Sequence, residues 1–311
     1  MNALRLLALG FTAVLTLAAA QAPAGEAGSA ADCSITATGL LPLTDLSGKP
    51  TYRGHRGGLY PGGVNRPSRA YLRAGLGAAK RVRPINGRVV LLSIGMSNAT
   101  QEFSPFIRLA EQDPDLSASV ELVDGAMSGW DARRIARPAA GYWRAVDRRL
   151  AAAGASPREV QAVWLKTAIA GEDRPFPADA RALQAQLRSI VRILVGRYLN
   201  LRLIYVSSRT YAGYAITPIN PEPAAYDSGY AVRWLIQDRM QGRLRGPWIG
   251  WGPYLWTDGE KGRSDGLTWL CEDVRRDGMH PSAAGATKVA KLLLRFFKTD
   301  PTSKGWFGRT S

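Results

Sequence analysis

The stretch Arg88-Val-Val-Leu-Leu-Ser-Ile-Gly-Met-Ser-Asn98 decides the fold of this chain. Four consecutive apolar residues, Val89 to Leu92, and then Ile94 leave this segment without a polar face. That pattern is typical of a strand that is buried on both sides of a parallel sheet. A helical pattern follows from about Thr100 to Glu111. Ser97 is therefore expected where a buried strand ends and a helix begins, the edge at which open α/β sheets bind ligands.

Ser97 is a weak nucleophile unless a general base takes its proton, and the chain offers only two histidines as that base. His280 follows Asp277 by three residues, in a turn that enters a final amphipathic helix. A carboxylate at that spacing can orient the imidazole, so Ser97, His280 and Asp277 can fill the roles of a catalytic triad. His55 lies in a glycine-rich loop and is expected to be an exposed loop residue.

The Gly-x-Ser-Asn at residues 95–98 and the Asp-x-x-His at residues 277–280 resemble the first and last sequence blocks of the SGNH (GDSL-like) hydrolases. The resemblance extends roughly from Val89 to Phe297. Those proteins are esterases and lipases, including carbohydrate esterases that remove acyl groups from polysaccharides. The Gly58–Gly63 segment and Trp306-Phe307 also resemble a group of secreted bacterial proteins without an assigned substrate.

The resemblance implies a three-layer α/β/α sandwich with a parallel, flavodoxin-like sheet. The residues support the same α/β class, because predicted helices alternate with predicted strands through the middle of the chain. The predicted strands are Val89–Ile94, Val120–Asp124, Val160–Leu165 and Leu201–Val206. After the helix near Thr100, the main predicted helices are Ala139–Ala153, Asp179–Tyr198, Ala225–Gln241 and Ala283–Phe297.

The resemblance also implies an oxyanion hole that includes the backbone N–H groups of Ser97 and of a glycine after the second strand. Gly129 is the best match and Gly125 the second, with an ordinary turn glycine as the alternative for each. The family usually adds an asparagine after the third strand, but this chain has none there. Asn98 or Lys166 is expected to supply the missing donor; for Lys166 the alternative is a salt bridge at the strand end.

Substrate-binding residues are predicted beyond the fourth strand. Arg209 lies three residues after that strand and could bind an acidic group of a substrate or pair with a carboxylate of the protein. Trp251 and Trp256 belong to an aromatic run that can form a substrate wall or fill the core. Ser207 is a rival nucleophile, although it lacks the Gly-x-Ser turn.

The first 24 residues have the pattern of a secretory signal peptide. Arg5 provides a positive start, Leu6 to Ala20 is mostly apolar, and Ala22-Pro-Ala24 fits the cleavage rule. This pattern predicts a secreted or periplasmic protein, with a retained N-terminal anchor as the alternative. After signal cleavage no transmembrane segment is expected, since no later stretch approaches about 18 apolar residues.

The predicted organisation has four parts. These are a signal peptide (1–24), a Gly/Pro-rich extension packed on the sheet (25–86), an SGNH-like hydrolase domain (87–300) and a loosely attached tail (301–311). A secreted protein with two cysteines favours a disulfide between Cys33 and Cys271, although sequence spacing does not show that they are within reach. The cysteines and histidines have no metal-like spacing, so neither a metal nor another cofactor is expected.

The charge of the chain is strongly positive, with 41 Lys and Arg against 25 Asp and Glu. Such a balance favours anionic surroundings such as an acidic cell-surface polymer, and a solvated basic surface is the alternative. The arginines are scattered along the chain without the pattern of a nucleic-acid-binding module, so no nucleic-acid partner is expected.

An acyl group on Ser97 could pass to water, as in an esterase, or to a sugar hydroxyl, as in an acyltransferase. The missing asparagine leaves a third interpretation, a non-catalytic glycan-binding protein that keeps the hydrolase fold. The presence of all three triad residues favours the enzyme. We therefore predict an esterase that hydrolyses acyl esters such as acetyl esters, with an acylated small molecule or polysaccharide as substrate.

Overall fold

Five parallel strands form the central sheet of the chain, whose computed structural model describes residues 31–309 apart from residue 49. The strands are β1 (Val89–Gly95), β2 (Val120–Asp124), β3 (Val160–Lys166), β4 (Leu203–Val206) and β5 (Trp248–Trp251). Their spatial order is β2-β1-β3-β4-β5, which is the flavodoxin-like order. Every residue of β1 and β3 is buried, because helices cover both faces of the sheet.

Helices follow the strands and complete a three-layer α/β/α sandwich, as predicted. They are α1 (Arg69–Ala79), α2 (Ser97–Glu111), α3 (Ala132–Ile135), α4 (Gly141–Ala152), α5 (Ala178–Arg197), α6 (Ala224–Met240), α7 (Ala283–Thr299) and α8 (Lys304–Phe307). The chain moves from β1 to β2 toward one edge of the sheet, and the later connections move toward the other edge. Because the crossovers are right-handed, α2 and the α5–α6 pair lie on opposite faces of the sheet. In the part of the chain that the structure describes, no helix is long and apolar enough to cross a bilayer.

The predicted strands and long helices are all present, with ends that shift by only a few residues. One further strand, β5, is not predicted from the sequence, because its Trp-Ile-Gly-Trp residues belong to the aromatic run that contains Trp251. Four residues give too short a pattern to identify a strand, and pairing with β4 is what extends them. The helix near the nucleophile also begins earlier than predicted, at Ser97 itself.

The N-terminal extension packs against the C-terminal half of the sandwich. Leu43 is fully buried, and its amide donates to the hydroxyl of Tyr254 at 3.1 Å. Cys33 and Cys271 form a disulfide that joins positions 238 residues apart. The extension is therefore attached to the segment that immediately precedes Asp277. The predicted signal peptide, 1–24, lies outside the described residues.

Residues 301–309 of the C-terminal tail are not loosely attached, contrary to the expectation from sequence. Its Trp306 and Phe307 are buried, and the Phe307 ring stacks on Phe297 of α7 at 5.3 Å. The amide of Arg309 donates to the Asp115 carbonyl at 2.7 Å. The two aromatic side chains bury enough apolar surface to hold this short segment on the core.

A buried pair of carboxyl groups, Asp179 of α5 and Asp227 of α6, lies next to Tyr52 of the extension. Neither carboxylate oxygen of Asp227 receives a hydrogen bond from the described residues. Burial, together with the neighbouring charge of Asp179, raises the pKa of Asp227 to about 8, and burial also raises the pKa of Asp179. Folding therefore favours the protonated form of this pair.

We expect Asp227→Asn to stabilise the protein at alkaline pH. An unfolded Asp227 loses its proton near pH 4, whereas the folded one holds it to about pH 8. The stabilisation from the folded, protonated form is complete below pH 4 and is lost as the pH rises through 8. Asparagine mimics the protonated acid at every pH.

Thermal unfolding measured between pH 4.5 and 8.5 checks this prediction. The difference between the melting temperatures of Asp227→Asn and the wild type should increase in favour of the variant by roughly 5 °C or more over this pH range. Asp173→Asn is the matched control, since Asp173 is exposed. A difference between Asp227→Asn and the wild type that does not depend on pH would contradict the prediction.

Candidate active site

The nucleophile turn is built at the carboxyl end of β1, at the point where the strand order reverses direction. A Cβ atom on Gly95 would lie 2.0 Å from the Lys166 carbonyl oxygen, so only glycine allows β1 and β3 to stay this close. Met96 is extended, and Ser97 is the first residue of α2. The hydroxyl of Ser97 therefore lies beside the free N–H groups of a helix N-terminus.

The second half of the site is the turn Asp277-Gly-Met-His280, which precedes α7. Gly278 has a φ of +67°, and a Cβ atom there would lie 1.7 Å from the Tyr214 carbonyl oxygen. One carboxylate oxygen of Asp277 accepts from the amides of Met279 and His280, at 3.0 and 2.9 Å. The hydrogen bonds to Asp277 hold the turn together, and the close approach of Gly278 to Tyr214 places it against the loop that follows β4.

The two turns meet in a continuous chain of hydrogen bonds. Ser97 Oγ lies 2.7 Å from His280 Nε2, and His280 Nδ1 lies 2.5 Å from Asp277 Oδ2. Because a carboxylate only accepts, Nδ1 carries the proton and Nε2 is free to accept from the serine hydroxyl. The arrangement can therefore move a proton from Ser97 to His280.

The charge of Asp277 matters for the proton transfer from Ser97 to His280. Burial acts to raise the pKa of Asp277, but hydrogen bonds from the His280 ring and from the His280 and Met279 amides outweigh it and lower the pKa below its ordinary value. Asp277 is therefore ionised at neutral pH and can stabilise an imidazolium at His280.

Ser97 and His280 open into a cavity of about 690 Å³. Its lining joins the two catalytic turns to the segment that follows β2, including Ser128, Gly129 and Trp130. A cavity of this size accommodates a small-molecule ester or a segment of a polymer. A larger cavity of about 850 Å³ touches Val89 at the start of β1, and neither a histidine nor a carboxylate lines it.

The structure distinguishes between the two oxyanion-hole glycines. Gly129 lines the same cavity as Ser97, and its φ of +78° is one that glycine adopts without strain. Gly125 is buried, and its N–H donates to the Ser93 carbonyl at 3.1 Å. Gly125 is therefore not available to a substrate.

Lys166 does not reach the cavity, so the expectation that it supplies an oxyanion donor is wrong. Its side chain is 2% exposed, and Nζ pairs with both carboxylate oxygens of Glu102, which is completely buried. Burial raises the pKa of Glu102 and lowers the pKa of Lys166, and their mutual attraction opposes both changes. The alternative interpretation, a salt-bridged lysine at a strand end, describes this residue.

Asn98 also has a structural partner. Its Nδ2 donates to the Met279 carbonyl at 3.1 Å, which ties the start of α2 to the His280 turn. Although Asn98 borders the cavity, its side chain is buried. This hydrogen bond supports the position of His280 and uses one of the two N–H groups of the amide, so the role of Asn98 as an oxyanion donor stays a prediction.

None of the predicted substrate-binding residues lines the cavity. Arg209 is 1% exposed, and its Nη1 lies 3.9 Å from the Met96 sulfur, behind the nucleophile turn. Trp251 donates to the Leu59 carbonyl of the extension, and Trp256 donates to a carboxylate oxygen of Glu222. These aromatic side chains fill the core because they find buried partners for their indole N–H groups.

The two alternative catalytic residues are also placed elsewhere. The hydroxyl of Ser207 is buried and accepts from the Trp164 indole at 3.0 Å. His55 packs against the rings of Phe176 and Trp234. Neither residue borders the cavity.

Several lining residues were missed by the sequence reasoning. Gln101 lies one helical turn after Ser97 and borders the cavity, and its Oε1 has no hydrogen-bond partner among the described residues. Its spacing of four residues from Ser97 was the available signal, because such residues share a helix face. Four arginines also line the cavity, but nothing in their spacing distinguishes them from the other arginines. They are Arg133, Arg134, Arg137 and Arg275.

Comparisons with known proteins give matches among solved structures only. No protein-family model matches the sequence, and no curated protein matches it either. A Streptococcus pneumonia protein named for platelet activating factor is 15% identical, with a TM-score of 0.45 over 73% of this chain and 92% of that one.

Two further matches have lower scores. A GDSL-like lipase from Bacteroides thetaiotaomicron is 9% identical, with a TM-score of 0.39 over 72% of this chain and 95% of that one. A catalytic mutant of Axe2, an acetylxylan esterase from Geobacillus stearothermophilus, is 16% identical, with a TM-score of 0.40 over 72% of this chain and 97% of that one. The strand order, with a Gly-x-Ser-Asn turn after β1 and an Asp-x-x-His turn before α7, gives this chain an SGNH/GDSL-hydrolase-like fold.

Proposed function

We propose that this protein is a secreted serine esterase that uses Ser97, His280 and Asp277 as its catalytic triad. One observation carries the proposal: the hydrogen-bonded chain from Ser97 through His280 to Asp277 opens directly into a cavity at the carboxyl edge of the sheet. The Asp-His-Ser order of contacts supplies a nucleophile, a base and an orienting carboxylate.

The reaction then has two halves. Ser97 Oγ attacks the acyl carbon while His280 Nε2 takes its proton, and a tetrahedral oxyanion forms. The oxyanion collapses, His280 gives the proton to the leaving alcohol, and the acyl group remains on Ser97. A water molecule next attacks the acyl carbon with His280 again as base, which releases the carboxylic acid and restores the serine.

The oxyanion requires donors beside Ser97. The backbone N–H of Ser97 belongs to the first turn of α2, and Gly129 lines the same cavity. Gln101 offers a side-chain amide from the next turn of the same helix. These three groups are the donors that we assign to the oxyanion hole in place of the family's asparagine.

The substrate that we propose is a short acyl ester, such as an acetyl ester, on a glycan. The open cavity allows a polymer to pass with one ester group directed at Ser97. An N-terminal signal sequence and a disulfide between Cys33 and Cys271 fit an exported protein, because disulfides persist in oxidising compartments.

The test is labelling with a fluorophosphonate probe combined with hydrolysis of 4-nitrophenyl acetate. The mature protein should react covalently at Ser97 and hydrolyse the ester, and Ser97→Ala should do neither. Ser207→Ala is the matched control, since Ser207 also follows a strand of the sheet, β4, but is buried, and the variant should label normally. A folded wild type that neither labels nor turns over ester would contradict the esterase and favour a binding role.

A further inference from the structure

Four arginines surround the cavity that holds Ser97 and His280. Arg133, Arg134 and Arg137 come from the segment around α3, and Arg275 comes from the turn that carries His280. Among the residues that the structure describes, the only carboxylates in the same lining are Asp131 and Asp277. The cationic groups therefore approach the nucleophile from two separate parts of the chain.

The two carboxylates are hydrogen-bonded to other groups, and the four arginines outnumber them. Asp277 binds His280, while Asp131 caps α3 by accepting from the Arg134 amide and also accepts from the Ala170 amide. Neither forms a salt bridge with an arginine of the cavity wall. The cavity lining therefore carries a net positive charge.

The arginines differ in how far they are committed to other partners. Arg133 pairs with Glu172, which lies outside the cavity, and Arg134 stacks on Trp130 and donates to the Gly129 carbonyl. Arg137 and Arg275 are exposed, and neither has a carboxylate partner among the residues that the structure describes. Arg275 uses only its Nε, which donates to the Pro281 carbonyl.

The chemistry of a guanidinium specifies what these two residues can bind. Its planar fork matches the two oxygens of a carboxylate or phosphate, and its charge is permanent at physiological pH. A neutral ester such as acetylated xylan would gain little from such groups. An anionic substrate would gain both steering and orientation.

Given the proposed esterase activity, we propose that the substrate is anionic and that Arg137 and Arg275 bind a carboxylate or phosphate next to the ester. The substrate class is then an acylated acidic molecule, such as an acidic glycan. The two residues select this substrate by binding and do not take part in bond breaking.

Matched ester pairs test the proposal, each pair differing only in one charge. 4-Acetoxybenzoate and its methyl ester place the anion on the leaving group, and mono-4-nitrophenyl glutarate and its methyl ester place it on the acyl group. 4-Acetoxyphenyl phosphate replaces the carboxylate by a phosphate. The wild type should prefer the charged member of at least one pair in kcat/KM by about tenfold.

Arg137→Gln and Arg275→Gln should each reduce several-fold the ratio of kcat/KM between the charged and the neutral member of the preferred pair. Arg148→Gln is the matched control, because Arg148 is exposed on α4 and does not line the cavity. The preference should also weaken between 50 and 500 mM salt, since solvent-exposed charges are screened. Equal rates on both members of every pair would overturn the anionic substrate and leave the esterase standing.

A binding measurement separates this proposal from the esterase itself. Ser97→Ala cannot turn over ester, but it should bind tetragalacturonate more tightly than its methyl ester in a calorimetric titration. Arg137→Gln added to that variant should remove the difference. If no ester is hydrolysed but the charged ligand binds more tightly, the esterase proposal fails and the anion site stands. If neither experiment shows a preference for the charged molecule, the anion site is overturned.

Discussion

Replacing His280 by alanine should lower kcat for ester hydrolysis by at least about 10⁴-fold. His280 Nε2 is the only base within hydrogen-bond distance of Ser97 Oγ among the described residues, at 2.7 Å. Without it the serine stays protonated during attack, and the leaving alcohol receives no proton. KM should change by only a few-fold, because the cavity and the proposed oxyanion donors remain.

Steady-state kinetics on 4-nitrophenyl acetate, with circular dichroism to verify folding, measure this effect. His55→Ala is the control, since His55 packs on Phe176 and Trp234, outside the cavity lining, and its variant should keep wild-type kcat. A His280→Ala protein that is folded and retains a tenth or more of the activity would exclude the triad. Asp277→Asn should give an intermediate loss, because the imidazole keeps its place but loses the charge that stabilises its protonated form.

Breaking the buried Lys166–Glu102 pair should destabilise the protein strongly. Glu102→Ala leaves the ammonium of Lys166 buried without its partner, which we expect to lower the free energy of unfolding by about 3–5 kcal/mol. The melting temperature should then fall by roughly 10 °C in a domain of this size. The loss of stability in Lys166→Met should be smaller at pH 5 than at pH 8. Burial already raises the pKa of Glu102, so the carboxyl group can take up a proton once its partner is removed.

A double variant, Glu102→Leu with Lys166→Met, is the matched control for this effect. It replaces both charges by apolar side chains, so most of the lost stability should return. At a temperature where it is folded, Lys166→Met should retain most of the esterase activity, because Lys166 does not border the cavity. A Lys166→Met variant that keeps its stability but loses activity would contradict this prediction and support a role for Lys166 in the oxyanion hole.

The sequence was most informative where a local pattern has only one structural solution. The apolar run from Val89 to Leu92 is typical of a strand buried on both faces, and Gly95 allows the tight approach that places Ser97 at its end. Asp277 and His280 were identifiable as a pair because three residues is a distance that one turn spans. Their short separation made the contact a local property of the chain.

Residues whose partners lie far along the chain could not be placed in the same way. Lys166 is 64 residues from Glu102, and Trp251 is 192 residues from its acceptor at Leu59. A lysine or tryptophan at the end of a strand is compatible with either a cleft or the core, and only the packed fold selects between them.

The sequence by itself therefore determined the α/β/α class, the parallel sheet and the two turns that carry Ser97, Asp277 and His280. The tertiary structure alone decided that Lys166, Arg209, Trp251 and Trp256 belong to the interior and that Gln101, Arg137 and Arg275 border the cavity. The physical reason is that backbone pattern and turn geometry are local, whereas burial and charge pairing depend on which distant segments the sheet brings together.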